Sequence, residues 1–380
     1  MSLQIVRQAF LLTIVTWLMV VPRLSSEGIN IVTRTYEAGA NRFWANENPY
    51  RLPIEGGDRY EYSPFFAMFY RLFTLLGGQA QALLWAAFNL AVFWLGISCW
   101  CRLERASPWW LILTMIAASM ELNGSVLYQQ INACIVGMTL TALWLFQKKN
   151  FFWAGLLITI ATNIKPLPGI FALALLFPIQ IRYWLGLFAG SAITLLVPAL
   201  IVGFSNDYFF HLRWFETLGE TLRLVRPGQL DIASAIEQLG FPTLGRFAQL
   251  GVATISLVLL FNPKKEKQWG TWCSLGLCAI LLVSSRSESP SYVLLAPTYV
   301  FIGQEIAAHK GRFRWPFAIL LLSGVFFATI CFNDLWPKWL WNPHARSNLS
   351  KTLGASLVWL TAVGLTTRKA GTRPKLEDFA

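Results

Sequence analysis

Apolar segments recur from one end of this chain to the other, and charge is concentrated in the spacers between them. The first covers residues 8–24, directly after Arg7, with no small-residue cleavage site behind it, and reads as a spanning helix rather than a removed signal peptide. Others follow at about 79–100, 107–121, 126–146, 151–164, 167–180, 184–203, 247–262, 270–285, 291–305, 314–332 and 352–367. A lone spanning helix needs about 20 residues, so several of these are expected to be tilted, broken or packed inside a bundle. The pattern predicts an all-α, polytopic transmembrane helical bundle of about 12 spanning helices, within a range of 10–13, as a single integral-membrane domain over 1–380. Composition agrees, since only 13% of the residues are charged, about half the usual share. Eighteen Trp and 28 Phe exceed what one water-soluble core of this length hides. A soluble globular enzyme, a disordered chain and a disulfide scaffold are excluded.

The net charge of +12 does not imply nucleic acid, because many of the basic residues occupy short spacers where they orient a bilayer protein. With the N-terminus in the cytoplasm, Arg7, Arg102–Arg105, Lys148–Lys149, Arg182, Lys264–Lys267, Lys310–Arg314 and Arg368–Lys375 all fall inside. About half of the 31 Lys and Arg residues are then gathered into the inner spacers, and both termini are cytoplasmic, with 368–380 as a tail. Two long exoplasmic loops result, 25–78 and 204–246, with shorter ones near 284–291 and 333–351. Within the first, Ser63–Gly77 is apolar but too short to cross, and reads as a helix lying in the interface.

A charge near the bilayer centre costs at least about 2.5–3.5 kcal/mol, so polar residues near apolar runs mark candidate sites. Lys165 lies in Asn163-Ile-Lys-Pro-Leu-Pro-Gly169, where Pro166 and Pro168 break a helix and expose backbone groups. An ammonium there suits a phosphate or carboxylate; alternatively it is a loop lysine snorkelling to the outer interface. Gln130 and Asn132 enter the next helix from its outer end, where they suit either sugar hydroxyls or helix–helix hydrogen bonds. Arg286 and Glu288, in Ser284–Tyr292, form either a local ion pair or a pair of groups aimed into an outer cavity. The first loop supplies Glu27, Glu37, Glu47, Glu55, Asp58 and Glu61, interleaved with arginines and with Tyr36, Trp44, Tyr50, Tyr60 and Tyr62. Aromatic faces with carboxylates suit carbohydrate, and arginines suit phosphate; taken singly, each is a solvated loop side chain. The second loop adds Arg213, Arg223, Arg226, Asp231 and Glu237. The three histidines share no ligand spacing, the six cysteines show no CxxC pattern, and no Walker-type or nucleophile-elbow motif occurs. No metal site and no cofactor is expected.

This arrangement resembles the GT-C class of polyprenyl-phosphate-sugar-dependent glycosyltransferases, and within it glycosyltransferase family 87, the bacterial alpha-mannosyltransferase-like group. Tyr36–Tyr50 is similar to the family's stretch ending in an Asn-Pro-Tyr turn. Tyr60-Glu-Tyr-Ser-Pro64 resembles its Tyr-x-Tyr-Pro-Pro signature, and Ile164-Lys-Pro-Leu-Pro168 its Lys-Pro motif. Gln129-Gln-Ile-Asn132 resembles Gly-Gln-x-Asn, with Gln129 where the glycine would stand, and Ser284–Tyr292 matches a Ser-Pro-x-Ser-Trp segment poorly. The similarity runs in order over roughly residues 8–305 through short, degenerate motifs. One departure concerns the chemistry: the family usually carries an acceptor-activating Asp a few residues before the Tyr-containing stretch. Here those positions are Asn30-Ile31-Val32, and none is acidic.

The resemblance implies a GT-C-like bundle and a sugar donor linked to polyprenyl phosphate, with mannose as the default. The acceptor is an envelope glycolipid or glycan, and the active site faces the periplasmic or extracellular side of a bacterial inner membrane. The catalytic base then falls to Glu37, Asp58 or Glu27; Lys165, and after it Arg286, meets the donor phosphate. Gln130, Asn132, Tyr62, Glu61 and Glu288 contact sugar or phosphate. Competing expectations are a membrane carrier or lipid-linked-sugar translocase, which also keeps charges at helix breaks, and an inactive relative that binds the sugar lipid.

Overall fold

A computed structural model describes residues 3–51, 58–100, 108–166, 168–176, 180–223, 229–261, 269–284, 287–308, 314–330 and 343–367. All regular structure among them is helical. The chain divides into two compact units, one formed by Met1–Arg102, Leu122–Arg226 and Ser289–Val293, the other by Leu103–Glu121, Pro227–Glu288 and Leu294–Ala380.

The first unit contains α1 (Leu3–Glu27), α2 (Ile31–Trp44), α3 (Pro64–Thr74), α4 (Gly78–Trp100) and the end of α5 (Pro108–Leu127). It continues with α6 (Asn132–Gln147), α7 (Phe151–Ile164), α8 (Gly169–Ala174), α9 (Ile181–Val202) and α10 (Phe204–Arg223). Sequence chemistry sets several boundaries. Asn30 starts α2 by accepting from the amides of Val32 and Thr33 through its side chain, and Ser63 followed by Pro64 starts α3. Between α4 and α6 the backbones meet at Gly96 and Gly137: a Cβ on Gly96 would lie 2.6 Å from the Gly137 carbonyl oxygen. Only hydrogen permits that approach.

The segment 25–78, expected as a loop with one helix over 63–77, carries both α2 and α3, and 204–246 carries α10 and further helical structure. Helix α2 escapes a hydropathy scan because Arg34, Glu37 and Arg42 alternate with a buried stripe of Thr33, Thr35, Tyr36, Gly39, Ala40 and Phe43. Among its described residues the apolar segment 167–180 holds the six-residue α8, with Pro166 and Pro168 just before its start. At about 1.5 Å per residue it is far too short to span.

The second unit contains the start of α5, then α11 (Ile232–Gln238), α12 (Pro242–Leu260), α13 (Trp269–Val283) and α14 (Leu295–Ala308). It ends with α15 (Arg314–Val325), a π-helical turn over Phe326–Ile330, and α16 (Pro343–Thr367). Asp231 caps α11 by accepting from the amides of Ala233 and Ser234. Within this unit Lys351 Nζ lies 3.7 Å from Glu121 Oε2, with both side chains buried. Thr329, on the π-turn, donates to Glu121 Oε1 at 3.1 Å, and Tyr299 meets the Thr329 hydroxyl at 3.2 Å.

Among the described residues five helical segments are long and apolar enough to cross a membrane: Leu3–Ser26, Gly78–Trp100, Ile181–Val202, Pro242–Leu260 and Leu349–Thr367. Four shorter apolar helices accompany them. Helix α9 leaves Ile181, Trp184, Leu185, Phe188, Leu196 and Leu200 uncovered, a surface suited to lipid rather than water. The protein is a helical membrane protein.

Candidate functional site

Helix α7 ends where its sequence demands. Lys165 is its extended C-terminal cap, since Pro166 disfavours a helical conformation for the residue before it. The Lys165 ammonium donates to Asn132 Oδ1 at 2.7 Å, and the Asn132 amide donates to Gln130 Oε1 at 2.5 Å. Asn132 is 1% exposed and Gln130 8%, whereas Lys165 stays partly open. A partly exposed cation held by an amide is suited to meeting an anion. Three of the expected binding residues therefore form one chain of hydrogen bonds.

The start of α6 is satisfied from elsewhere in this unit. Ile131, its N-cap, supplies no side-chain oxygen. Its amide donates to the Tyr36 hydroxyl at 3.3 Å, and the amide of Cys134 donates to Asn89 Oδ1 at 3.2 Å. Tyr36 in turn donates to the Tyr62 hydroxyl at 2.9 Å, so the tyrosine pair adjoins the Asn132–Lys165 chain. Burial, and next the charge of Tyr62, pushes the Tyr36 pKa well above its ordinary value, so its hydroxyl keeps its proton.

The tyrosine-rich segments are built as a wall. Asn48 accepts from the amide of Tyr50 at 3.0 Å, the Asx turn that an Asn-Pro-Tyr sequence favours. The Tyr50 hydroxyl donates to the Tyr62 carbonyl at 2.8 Å. The Tyr60 ring fills the space over Gly39, where a Cβ would lie 2.5 Å from ring carbon Cδ2. Tyr36, Tyr62, Phe66, Tyr70 and Trp85 pack edge to face or tilted at 4.9–6.1 Å between centroids. Trp214 of α10 donates to the Glu61 carbonyl at 3.1 Å.

Gln129 stands in a left-handed conformation, φ 56°, which suits glycine better than glutamine. Its side chain compensates: Oε1 accepts from the Thr33 hydroxyl and from the amide of Asn30 at 3.3 Å, and Nε2 donates to the Gly28 carbonyl at 2.8 Å. The Asn30 side chain also reaches the Leu127 carbonyl at 3.4 Å. Gln129 is thus in contact with Asn30, the first of the three non-acidic positions Asn30-Ile31-Val32. Together they fasten the α1–α2 turn to the end of α5, a link that spacing alone did not reveal.

The expected carboxylates are dispersed. Glu37 is on α2, close enough to Tyr70 to act on its hydroxyl electrostatically. Asp58 is exposed; its amide donates to the Thr35 hydroxyl at 2.7 Å, and its own carboxylate accepts from the Arg59 amide at 2.8 Å. Glu61 is half-buried beside Tyr62. Glu288 is exposed and belongs to the second unit. Arg286 and the Glu27 side chain lie outside the described residues. Among the described residues no group of three or more His, Cys, Asp or Glu is placed to hold a metal.

Sequence reasoning passed over a further pair in the same unit. His211 Nδ1 lies 3.3 Å from Asp207 Oδ2 and 3.0 Å from the Asp207 carbonyl oxygen, one turn away on α10. The readable signal was the Asp–His spacing of four on an amphipathic helix.

Matched against known proteins, residues 60–285 fit the family model of glycosyltransferase family 87. No curated protein and no solved structure matches the chain.

Proposed function

The chain belongs to glycosyltransferase family 87, and from that premise we propose that it moves a hexose, mannose foremost, from a polyprenyl-phosphate-linked donor to an envelope glycolipid or glycan. It is a membrane glycosyltransferase. In the finer reading a bundle within the range of 10–13 spans carries it through a bacterial inner membrane, with both termini cytoplasmic. The 25–78 region, with α3 in the interface, then faces outward. The bias of basic residues towards the inner spacers supports this orientation.

The observation that carries the reading is the Lys165–Asn132–Gln130 chain at a broken helix. The reaction is displacement at the anomeric carbon with lipid phosphate as the leaving group. Negative charge grows on that phosphate as the bond breaks, and a cation already held in place stabilises the transition state more than the ground state. Lys165 fills this role. Asn132 fixes its direction, Gln130 extends the polar surface towards the sugar hydroxyls, and Tyr62, the partly exposed member of the tyrosine pair, supplies an aromatic face for the saccharide.

The test uses purified protein in lipid nanodiscs with labelled polyprenyl-phosphate-mannose and a lipid extract. Release of lipid phosphate together with a new mannosylated lipid is the expected result. Movement of the donor between leaflets without chemistry, measured in vesicles, would identify a carrier. Binding without either would identify an inactive relative.

A further inference from the structure

We propose that His211, oriented by Asp207, takes the proton from the acceptor hydroxyl. This rests on the transfer reaction proposed above and supplies the base that the reaction needs.

Helix α10 presents one face to the Asp58–Tyr62 segment. Trp214 donates to the Glu61 carbonyl at 3.1 Å, Arg59 bonds the Thr217 hydroxyl at 3.4 Å and pairs with Glu220, and Phe210 packs on Phe43. His211 and Asp207 lie towards the start of the same helix, and the His211 ring stands 6.2 Å from that of Trp214. Asp207 interacts electrostatically with Tyr50, whose hydroxyl donates to the Tyr62 carbonyl, which links the dyad to the segment whose Tyr62 hydroxyl meets Tyr36.

The internal geometry of the dyad is that of a base and its orienter. Nδ1 faces both the carboxylate and the carbonyl oxygen of Asp207, two acceptors that favour the tautomer with the proton on Nδ1 and Nε2 as the acceptor. Among the described residues Nε2 has no hydrogen-bond partner. Asp207 is 6% exposed, and its second oxygen, Oδ1, is buried without a partner. A carboxylate left unsatisfied in this way is costly for a purely structural pair; opposite a histidine that gains a proton it has a use. Burial draws the imidazole pKa down, but the hydrogen bonds and charge of Asp207 outweigh this and leave it above the ordinary 6.5. Of the titratable and charged groups around the dyad, Tyr50 interacts electrostatically with Asp207, and Arg59, Tyr60, Glu61 and Tyr62 belong to the segment that Trp214 of the same helix bonds. Tyr70 and Arg71 lie on α3, which also packs on α10, and the last turns of α9 contribute none.

In the step, the acceptor O–H bond breaks and its proton passes to His211 Nε2. The acceptor oxygen bonds the anomeric carbon, and the bond from that carbon to the phosphate oxygen breaks with its electron pair leaving on lipid phosphate. The imidazolium is then held against Asp207.

The experiment measures kcat/KM against pH for wild type, His211→Asn and Asp207→Asn in nanodiscs, with labelled polyprenyl-phosphate-mannose as donor and a lipid extract as acceptor. The expected result is a loss of about 10²–10⁴-fold in His211→Asn. In Asp207→Asn, the acid limb of the profile should move to lower pH, because removing the carboxylate lowers the imidazole pKa; a structural role alone would not move that limb. If His211→Asn does not fold, judged by gel filtration, the Asp207→Asn limb decides. Transfer within threefold of wild type in His211→Asn, or an unmoved limb in Asp207→Asn, overturns the proposal and points to Asp58 or another carboxylate. A wild-type protein that transfers nothing overturns the transferase reading, and this proposal with it.

Discussion

Lys165 Nζ and Asn132 Oδ1 are 2.7 Å apart, so the cation at the end of one helix is held by the first residue of another. The contact makes the two residues separable by mutation. Lys165→Met is expected to lower the transfer rate by about 10²–10³-fold by removing the charge opposite the leaving phosphate. Asn132→Leu keeps the charge but frees its position, and a loss of up to about 10²-fold is expected. Comparing kcat for the two variants in the nanodisc assay checks the order; equal activity in Lys165→Met and wild type would remove the lysine from the chemistry.

Gln129 trades backbone strain for side-chain bonds, and substitution should expose both. Gln129→Ala leaves the strained φ of 56° and strips partners from Thr33, Asn30 and Gly28. Each buried group left unpaired costs about 1–3 kcal/mol. Gln129→Gly loses the same bonds but recovers about 1–2 kcal/mol of left-handed strain. Thermal unfolding in detergent should therefore rank wild type above Gln129→Gly, and Gln129→Ala lowest.

Lys351 and Glu121 are buried together, with Thr329 on the π-turn completing the group. Removing only the cation, in Lys351→Met, should destabilise by about 3–5 kcal/mol because it strands a charge. The double variant Lys351→Met/Glu121→Gln should recover much of that loss. A double-mutant cycle read by denaturation midpoint decides the matter, and additive losses would mean that the pair is not coupled.

His211 also predicts a pH dependence of stability. Its folded-state pKa is raised above 6.5, burial lowering it less than Asp207 raises it. The stabilisation from the pair is thus fully present below about pH 6.5 and is lost as pH rises through the higher folded value. The melting-temperature gap between wild type and His211→Asn should shrink over that window. A gap that widens with rising pH would contradict the assignment.

What the sequence disclosed follows the physics of each signal. Apolar runs interrupted by charged spacers revealed a helical membrane protein, because lipid permits little else. Lys165, Asn132 and Gln130 stood out as polar residues at the ends of such runs, and they prove to be neighbours. Helix α2 was read as loop because half its surface is polar, and helical periodicity in a short segment is weaker than hydropathy. Asp207 and His211 went unread because the histidines were compared with one another rather than with acids one turn away. Gln129 looked like a mere replacement for glycine, since hydrogen bonds spanning 96–101 residues leave no local trace.

The missing cap at the start of α6 has a consequence for assembly. Ile131 has no oxygen of its own to offer, and the hydroxyl that satisfies its amide comes from Tyr36, 95 positions earlier. Registration of the amide that aims the lysine is thereby delegated to a helix outside the apolar runs. Whatever loosens that early helix, whether a lesion there or cargo wedged beneath it, would be felt at the cation without touching it.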